Sequence, residues 1–127
     1  MAGSNIKLLE NYIDFLSQKN KVVTKNISNI GTANYRREDV NFKNVLNSQM
    51  AAKLKTTDSK HLNITPNTSV PFETIVDKDD TMISGMNNVD MDAEMMSLAE
   101  NSLKYKFASR KIGRYYKTLQ KVINGRG

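Results

Sequence analysis

Few side chains in this sequence of 127 residues are of the types that carry catalytic or metal chemistry. There is no Cys, which excludes a thiolate nucleophile, a disulfide framework and a Cys-based zinc site. His61 is the single histidine, and it stands in a polar, loop-like stretch where a solvated surface role is expected. The six glycines are scattered and form no phosphate-binding loop. We therefore predict no catalytic residues, no bound metal and no cofactor, and we do not expect an enzyme.

Two clusters have residue types that bind metal ions in other proteins. The acidic run at 77–80, DKDD, lacks the Gly in the sixth place and the Glu in the twelfth place of a calcium loop. A solvated turn is the preferred interpretation. Five methionines lie close together, partly at helical spacing: Met82, Met86, Met91, Met95 and Met96. Packing in a core or an interface is preferred to a soft-metal site for this cluster.

The net charge of +6 is unevenly distributed along the chain. Residues 1–60 contain ten Lys and Arg against five Asp and Glu, residues 61–97 one against seven, and residues 98–127 eight against one. Two basic ends thus flank an acidic middle, which suits contact of the chain with itself as readily as an anionic partner. The pI of about 9.6 fits a nucleic-acid binder. However, the C-terminal charges wind around the predicted helix without a stripe of stacking aromatic residues, and nucleic acid is not a predicted partner.

The N-terminal part has apolar residues at the spacing of a long helix. Eight positions follow one another at alternating intervals of three and four residues, and seven of them are apolar: Ile6, Leu9, Ile13, Leu16, Asn20, Val23, Ile27 and Ile30. Ser4 or Asn5 is suited to cap the start of this helix, and Gly31 is suited to end it. We expect an N-terminal axial helix within residues 1–33.

The C-terminal part repeats this heptad pattern. Its seam consists of Met91, Met95, Leu98, Ser102, Tyr105, Ser109, Ile112, Tyr116, Leu119 and Ile123. Acidic residues in the first turns and basic residues near the end suit the helix dipole. We expect a C-terminal axial helix within residues 90–127. Asn20, Ser102 and Ser109 interrupt the two seams, either because they fix the register or because they are simply tolerated.

Residues 34–89 are expected to form a variable middle region. Residues 42–54 have the pattern of a short amphipathic helix, and the alternating stretches at 61–64 and 72–76 could pair as strands. The predicted fold is mainly α: long N- and C-terminal helices pair as an elongated, coiled-coil-like hairpin, with a short irregular or β-containing middle. No apolar run approaches the roughly 18 residues that a membrane helix needs.

A second apolar stripe lies beside each seam. The N-terminal stripe contains Leu8, Tyr12, Phe15 and Val22, and the C-terminal stripe contains Met96, Ala99, Leu103, Phe107 and Val122. Both are too apolar for a solvated face, so we predict that they contact neighbouring subunits. The alternative is a monomeric bundle of three or four helices that uses the middle segment.

Two stretches go beyond the pattern of a generic helix. Residues 26–37, NISNIGTANYRR, resemble the motif of bacterial flagellar rod and hook proteins, which reads roughly Asn-Ile-Ala-Asn, two residues, then Thr-Pro-Gly-Tyr-Lys. The matching residues are Asn26, Ile27, Asn29, Thr32, Tyr35 and Arg36, with Ala33-Asn34 in place of Pro-Gly. Residues 87–95, NNVDMDAEM, are similar to the Gly-Asn-Asn-Val-Asp-Leu stretch that opens the C-terminal helix of that family. This match includes Asn88, Val89 and Asp90, with Met86 in place of Gly.

The resemblance implies a proximal rod subunit of this axial family. Such proteins assemble helically into the drive shaft that transmits torque and encloses the export channel. They are exported without a cleaved signal peptide and reside in the periplasmic rod of the basal body. The implied partners are the chain itself, other rod proteins, and the hook–basal body protein E with the MS ring or export gate at the base. Neither nucleic acid nor membrane insertion is implied.

The resemblance also assigns roles to residues. The apolar seam members from Ile6 to Ile30 and from Met95 to Ile123 are predicted to form the assembly interface. Asn26 and Asn29 are expected to bond backbone groups where the first helix ends, and Tyr35 to anchor the turn. The alternative function is a small basic helical binding module, either a nucleic-acid binder or an export adaptor.

Overall fold

The computed structural model describes residues 2–42 and 72–125. It contains helix α1 (Ala2–Ser28), strand β1 (Glu38–Asn41), strand β2 (Glu73–Val76) and helix α2 (Met91–Ile123). The predicted mainly α fold with two long terminal helices is confirmed. Most of the short helix predicted at 42–54, and the whole of the strand predicted at 61–64, lie outside the described residues. Neither described helix is both long and apolar enough to cross a membrane.

The two helices pack against each other in opposite directions. Asn26 near the end of α1 bonds to Glu94 in the first turn of α2. Further along α2, Asn101 bonds to the carbonyl group of Leu16, and Tyr116 bonds to Glu10. Because partners move back along α1 as the chain proceeds along α2, the helices form an antiparallel hairpin.

The seam of α1 faces α2 as its pattern predicts. Leu16 and Val23 are buried, with 1% and 2% of their surface exposed. The remaining apolar members are half-buried: Ile6, Leu9, Ile13, Ile27 and Ile30. Apolar burial along this side therefore supplies the hydrophobic stabilisation of the hairpin.

The seam of α2 does not face α1 along its whole length. The buried positions of α2 are Glu94, Asn101 and Ala108, spaced seven residues apart. Four of the ten predicted seam members are half-buried: Leu98, Ser102, Ser109 and Ile112. The others are exposed by 37% to 75%: Met91, Met95, Tyr105, Tyr116, Leu119 and Ile123. The buried row precedes the predicted row by one residue, about 100° around the helix, because Glu94 and Asn101 find polar partners on α1 that offset their desolvation.

A small antiparallel sheet joins the end of α1 to the start of α2. Glu38 pairs with Val76 and Asn41 pairs with Glu73. The strand predicted at 72–76 is thus present, but its partner is β1, which the sequence pattern did not indicate. Val40 of β1 is buried, whereas all four residues of β2 are exposed.

The second apolar stripes of the two helices differ in how far the chain itself covers them. On α1, the rings of Tyr12 and Phe15 pack on Phe42, with centroids 5.8 and 4.9 Å from the Phe42 ring. Val22 is buried within the chain. The chain itself therefore covers Val22 and part of Tyr12 and Phe15. Contact of the half-buried members of this stripe with neighbouring subunits stays a prediction. On α2, the large side chains of the second stripe remain exposed: Met96, Leu103, Phe107 and Val122.

Candidate functional site

The two family-like stretches meet at one end of the hairpin. Here the end of α1, the turn that follows it, β1 and the start of α2 come together. We call this region the junction and define it by Asn26, Tyr35, Arg37, Asn87, Asn88 and Glu94, all of which hydrogen-bond to residues of another segment. In the described part of the chain, no buried side-chain nitrogen or oxygen of the hairpin lacks a hydrogen-bond partner.

Asn26 occupies the centre of the junction and is fully buried. Its Oδ1 accepts hydrogen bonds from the Tyr35 hydroxyl at 2.9 Å and from the Glu38 N–H at 3.0 Å. Its Nδ2 donates to the Glu38 carbonyl at 2.8 Å and to Glu94 Oε2 at 3.2 Å. One amide thus satisfies both backbone groups of Glu38, as a neighbouring strand would, and closes that edge of β1.

Glu94 is a fully buried carboxylate. Arg37 donates from Nε to Glu94 Oε1 at 2.5 Å, while Asn26 bonds the other carboxylate oxygen. An unpaired carboxylate at this depth is costly, whereas a charge-assisted hydrogen bond to a guanidinium compensates much of that cost. The buried charge therefore ties the first turn of α2 to the segment that enters β1.

Asn87 caps the end of α1 from a distance in sequence. Its Nδ2 lies 2.9 Å from the Asn29 carbonyl, 3.1 Å from that of Ile30 and 2.9 Å from that of Thr32. Its Oδ1 accepts a hydrogen bond from the Val89 N–H at 3.0 Å. The Asn29 carbonyl lies just after the last residue of α1, where the helix supplies no donor, and the carbonyls of Ile30 and Thr32 belong to the turn that follows.

The turn after α1 is closed by a hydrogen bond from the Tyr35 N–H to the Thr32 carbonyl at 3.3 Å. Asn34, at its third position, has a φ of 59°. This left-handed conformation is the one that Gly adopts readily, and Asn tolerates it better than most residues. The tight turn thus forms with Ala33-Asn34 where the family motif has Pro-Gly.

The other motif residues organise the ends of the two helices. Asn29 donates from Nδ2 to the Lys25 carbonyl at 2.8 Å, and its Oδ1 accepts from the Thr32 hydroxyl at 3.2 Å. At the start of α2, Asp90 is the N-cap and accepts from the Asp92 and Ala93 N–H groups.

The residues between these caps bind the loop to β1. The Asn88 Oδ1 accepts from the Arg37 N–H at 2.8 Å, and its Nδ2 donates to the Asp79 carbonyl at 3.0 Å. Val89 is fully buried beside them. The turn after α1 and the loop before α2 therefore hold each other in place.

Three ionisable groups at the junction have shifted pKa values. Burial raises the pKa of the Tyr35 phenol, and the negative charge of Glu38 adds to this effect. Burial opposes the charge on Arg37, but its hydrogen bond to Glu94 and the nearby carboxylates hold the Arg37 pKa above its usual value. The hydrogen bond to Glu38 raises the pKa of Lys25. All three shifts favour the protonated form, in which each of these groups donates its hydrogen bond.

The two clusters singled out for metal chemistry have other surroundings. Arg36 pairs with Asp80, and Asp79 Oδ1 accepts from the Thr81 N–H and hydroxyl. The acidic run thus belongs to a turn that is bonded to the segment after α1. The five methionines are all exposed, so they do not pack in the core of this chain. Within residues 2–42 and 72–125, no group of three or more acidic or histidine side chains is arranged to hold a metal ion.

Several junction residues were not among the predicted site residues. Asn87 is itself the first Asn of the second motif. Arg37 and Glu94 lie inside the two quoted stretches, where their proximity to matching positions was a usable signal. The sequence signal for Asn101 was weaker, because this residue lies outside both quoted stretches. Its Nδ2 bonds to the Leu16 carbonyl at 2.8 Å and to Asn20 Oδ1 at 2.7 Å, so it is the partner of the polar residue that interrupts the α1 seam.

Comparison with curated proteins gives relatives that span nearly the whole chain. The flagellar basal body rod protein FlgB of Bacillus subtilis is 33% identical over 125 residues, which are 97% of this chain and 95% of that protein. FlgB of Aquifex aeolicus is 32% identical over 127 residues, with 95% and 94% covered. FlgB of Borreliella burgdorferi is 30% identical over 122 residues, with 88% and 90% covered. No protein-family model matches the sequence.

Proposed function

The chain belongs to the FlgB family of flagellar basal body rod proteins, and we propose that its two terminal helices build part of the wall of the proximal rod. The protein is a structural subunit of the flagellar basal-body rod, and the observation that carries this function is identity above 30% over almost its full length. A small basic binding module is not favoured, because the relatives are rod proteins.

In this proposal the subunits assemble helically, so that the rod transmits torque and encloses an export channel. A contact between unlike surfaces that does not close on itself generates such a helical polymer. The exposed apolar residues of α2 support this view, because a monomer gains nothing from leaving them in water. The seam members assigned to contacts between subunits are Met95, Tyr105, Tyr116, Leu119 and Ile123. Leu16 and Val23 are buried within the chain and stabilise the subunit itself.

The proposal also covers the export route of the chain and its neighbours in the basal body. We assign to this chain a non-enzymatic role, export through the flagellar type III gate without a cleaved signal, and residence in the periplasmic rod. Its expected neighbours are its own copies, other rod proteins, and the hook–basal body protein E with the MS ring or export gate at the base. The support is the family-like motif at 26–37 and 87–95, whose residues converge at the junction. Intact mass measurement of the chain from purified basal bodies tests this, since a cleaved signal would leave a shortened N-terminus.

The rod assignment is tested by deleting the gene in the source bacterium and restoring it in trans. We expect the deletion strain to be non-motile and to lack rods in electron micrographs, and we expect the chain in basal bodies of the restored strain. A deletion strain that swims normally, or basal bodies that lack the chain, would overturn the assignment.

A pair of exposed substitutions tests the interface within the same strain. Leu119→Asp places a charge on an exposed seam residue and is expected to abolish rod assembly while expression and helix content stay normal. The neighbouring polar residue supplies a matched control, and Gln120→Asp is expected to support swimming. Normal swimming of the Leu119→Asp strain contradicts the assignment of Leu119 to a subunit contact.

A further inference from the structure

The face of α2 that points away from α1 carries a continuous row of exposed side chains. We call this row the outer stripe, and its members are Asp92, Met96, Leu103, Phe107, Arg110, Arg114 and Lys121. Intervals of three, four and seven residues keep them on one side of the helix. The buried positions Glu94, Asn101 and Ala108 each lie two residues from a member of the stripe. Two residues correspond to about 200° of rotation, so the outer stripe lies opposite the face that packs on α1.

The outer stripe changes character along the helix. It begins acidic at Asp92, and the exposed carboxylates of Asp79 and Asp80 lie in the loop at the same end of the hairpin. The middle is apolar, with Met96, Leu103 and Phe107 exposed by 73%, 57% and 62%. Beside it, Glu100 and Lys104 neutralise each other through an ion pair of 2.5 Å.

The far part of the stripe is basic. Exposed cations lie there on and beside the stripe: Arg110, Lys111, Arg114, Lys117 and Lys121. None of them pairs with an acidic side chain in the described part of the chain. The stripe therefore has an uncovered apolar centre, one acidic end and one basic end whose charges are not compensated.

When two copies of this stripe lie antiparallel, the acidic end of each faces the basic end of the other, and the two apolar centres face each other. We propose that the outer stripe binds the outer stripe of a second copy of this chain in the antiparallel direction, about a two-fold axis near Leu103. Met96 of each copy then lies near Phe107 of the other, and each Asp92 lies near Arg110 and Arg114 of the other. The helix beyond Arg114 approaches the acidic loop of the partner.

Charge excludes the other simple ways of pairing two copies. Parallel stripes in register place Arg110, Arg114 and Lys121 beside the same three cations, and like charges side by side are unfavourable. Parallel stripes that are shifted to match the charges leave the apolar centre in water. The antiparallel arrangement both pairs opposite charges and buries the apolar centre. It does so with one self-complementary surface, as in most two-fold dimers.

The antiparallel pair is closed, and this gives it a role distinct from the rod contacts. In a rod whose copies are related by the helical repeat alone, every copy has the same polarity, so a two-fold pair about α2 has no place within it. The dimer is therefore a state of the chain outside the rod, in which each copy covers the apolar centre of the other until assembly replaces it. Because its end contacts are exposed ion pairs, the dimer weakens as salt screens them.

Disulfide trapping of the purified full-length chain tests the geometry, because the sequence contains no native Cys. Leu103→Cys is expected to form covalent dimers under mild oxidation. Met96→Cys and Phe107→Cys are each expected to remain mostly monomeric alone and to form dimers when mixed. All three positions are exposed, so unchanged thermal melting by circular dichroism serves as the folding control. Efficient dimers of Met96→Cys alone, or no dimer with any variant at any concentration, overturn the proposal.

A charge swap tests the end contacts by sedimentation. Asp92→Lys and Arg114→Glu are each expected to lower the fraction of dimer at least several-fold, because both ends of either homodimer then carry like charges. A mixture of the two variants is expected to restore it, since both ends of the mixed dimer are complementary. Failure of the mixture to exceed either variant alone contradicts the antiparallel arrangement. The rod assignment does not depend on this result, because it is read from motility and basal bodies.

Discussion

The two ends of the helical hairpin are held by different interactions. At the junction, buried amides and one buried carboxylate bond to groups far away in sequence, as in the contact between Asn26 and Glu94. At the far end, the ring hydroxyl of Tyr116 bonds to Glu10 on the surface, and Val122 and Ile123 are more than 70% exposed. A polar network of this kind requires one geometry to satisfy all its members, whereas exposed apolar residues accept a range of partners. The junction therefore fixes the shape of the subunit, and the far end is available for neighbours.

The largest expected effect comes from removing the cation that compensates Glu94. Arg37→Met leaves a buried carboxylate whose remaining hydrogen bond comes from Asn26, and we expect the free energy of unfolding to fall by about 3 kcal/mol. Urea denaturation followed by circular dichroism measures this loss. Most small domains are stable by only about 5 to 15 kcal/mol, so a substantial part of the stability is at stake.

Two further variants show whether the loss comes from the buried charge. In Arg37→Met/Glu94→Met no charge remains, and we expect this double variant to be more stable than Arg37→Met alone. At the far end, Lys7→Met removes an exposed ion pair with Glu10 at 4.0 Å and is expected to change stability by less than about 1 kcal/mol. Equal losses for Arg37→Met and Lys7→Met would show that the two ends do not differ in the way described.

An intermediate effect is expected from the cap that Asn87 provides. Asn87→Asp keeps the size of the side chain but replaces the donor to three carbonyl groups with an oxygen. We expect a loss of about 2 kcal/mol in the free energy of unfolding, because these carbonyls lose the Asn87 donor and face a negative charge. Faster amide hydrogen exchange in residues 29–35 provides a local measurement.

The corresponding change at the far end is Asn124→Asp, at the C-cap of α2. A negative charge at a helix C-terminus costs less than about 1 kcal/mol on the surface. Amide hydrogen exchange is compared in the two variants. If it accelerated as much near residue 124 in Asn124→Asp as near residue 30 in Asn87→Asp, the Asn87 cap would have no special role.

The sequence predicts the apolar side of this hairpin better than its polar side. The α1 seam follows from spacing alone, because Leu16 and Val23 are apolar and recur at the heptad interval. The buried row of α2 does not, because Glu94 and Asn101 can be buried only when partners 68 and 85 residues away supply hydrogen bonds. Periodicity records which residues avoid water, and it contains no information about such pairing. The motif resemblance singled out Asn26, Tyr35 and Asn88, which lie in the junction, but it did not indicate that the two stretches meet.

Strand β1 was missed for a related reason. Its four residues, EDVN, include a single buried apolar side chain, Val40, so they show no alternation over a useful length. The strand exists because β2 pairs with one edge, while the Asn26 amide occupies the other at Glu38. A prediction from local sequence cannot detect a strand whose edges are filled by groups from elsewhere in the chain.

The smallest expected effect compares a tyrosine at each end of the hairpin. The pKa of Tyr35 is raised by burial and by the charge of Glu38, and the pKa of Tyr116 is raised by its hydrogen bond to Glu10. A phenol with a raised folded-state pKa contributes stability that is fully present below its unfolded value of about 10 and is lost as the pH rises through the folded value. Both tyrosines therefore weaken the fold only in alkaline solution, but a phenolate at Tyr35 must also be desolvated.

Phenylalanine substitutions separate these two contributions. At pH 7, Tyr35→Phe is expected to cost about 1 kcal/mol, since Asn26 Oδ1 loses one of its two donors. Between pH 9 and pH 11 the same variant is expected to lose stability less steeply than the unmodified chain in urea titrations. Tyr116→Phe is expected to change both the midpoint at pH 7 and the alkaline slope much less than Tyr35→Phe does, because the hydrogen bond of Tyr116 to Glu10 lies in water. If Tyr116→Phe flattened the alkaline slope as much as Tyr35→Phe, the surface contact at the far end would be as strongly coupled to folding as the junction, and the contrast between the ends would fail.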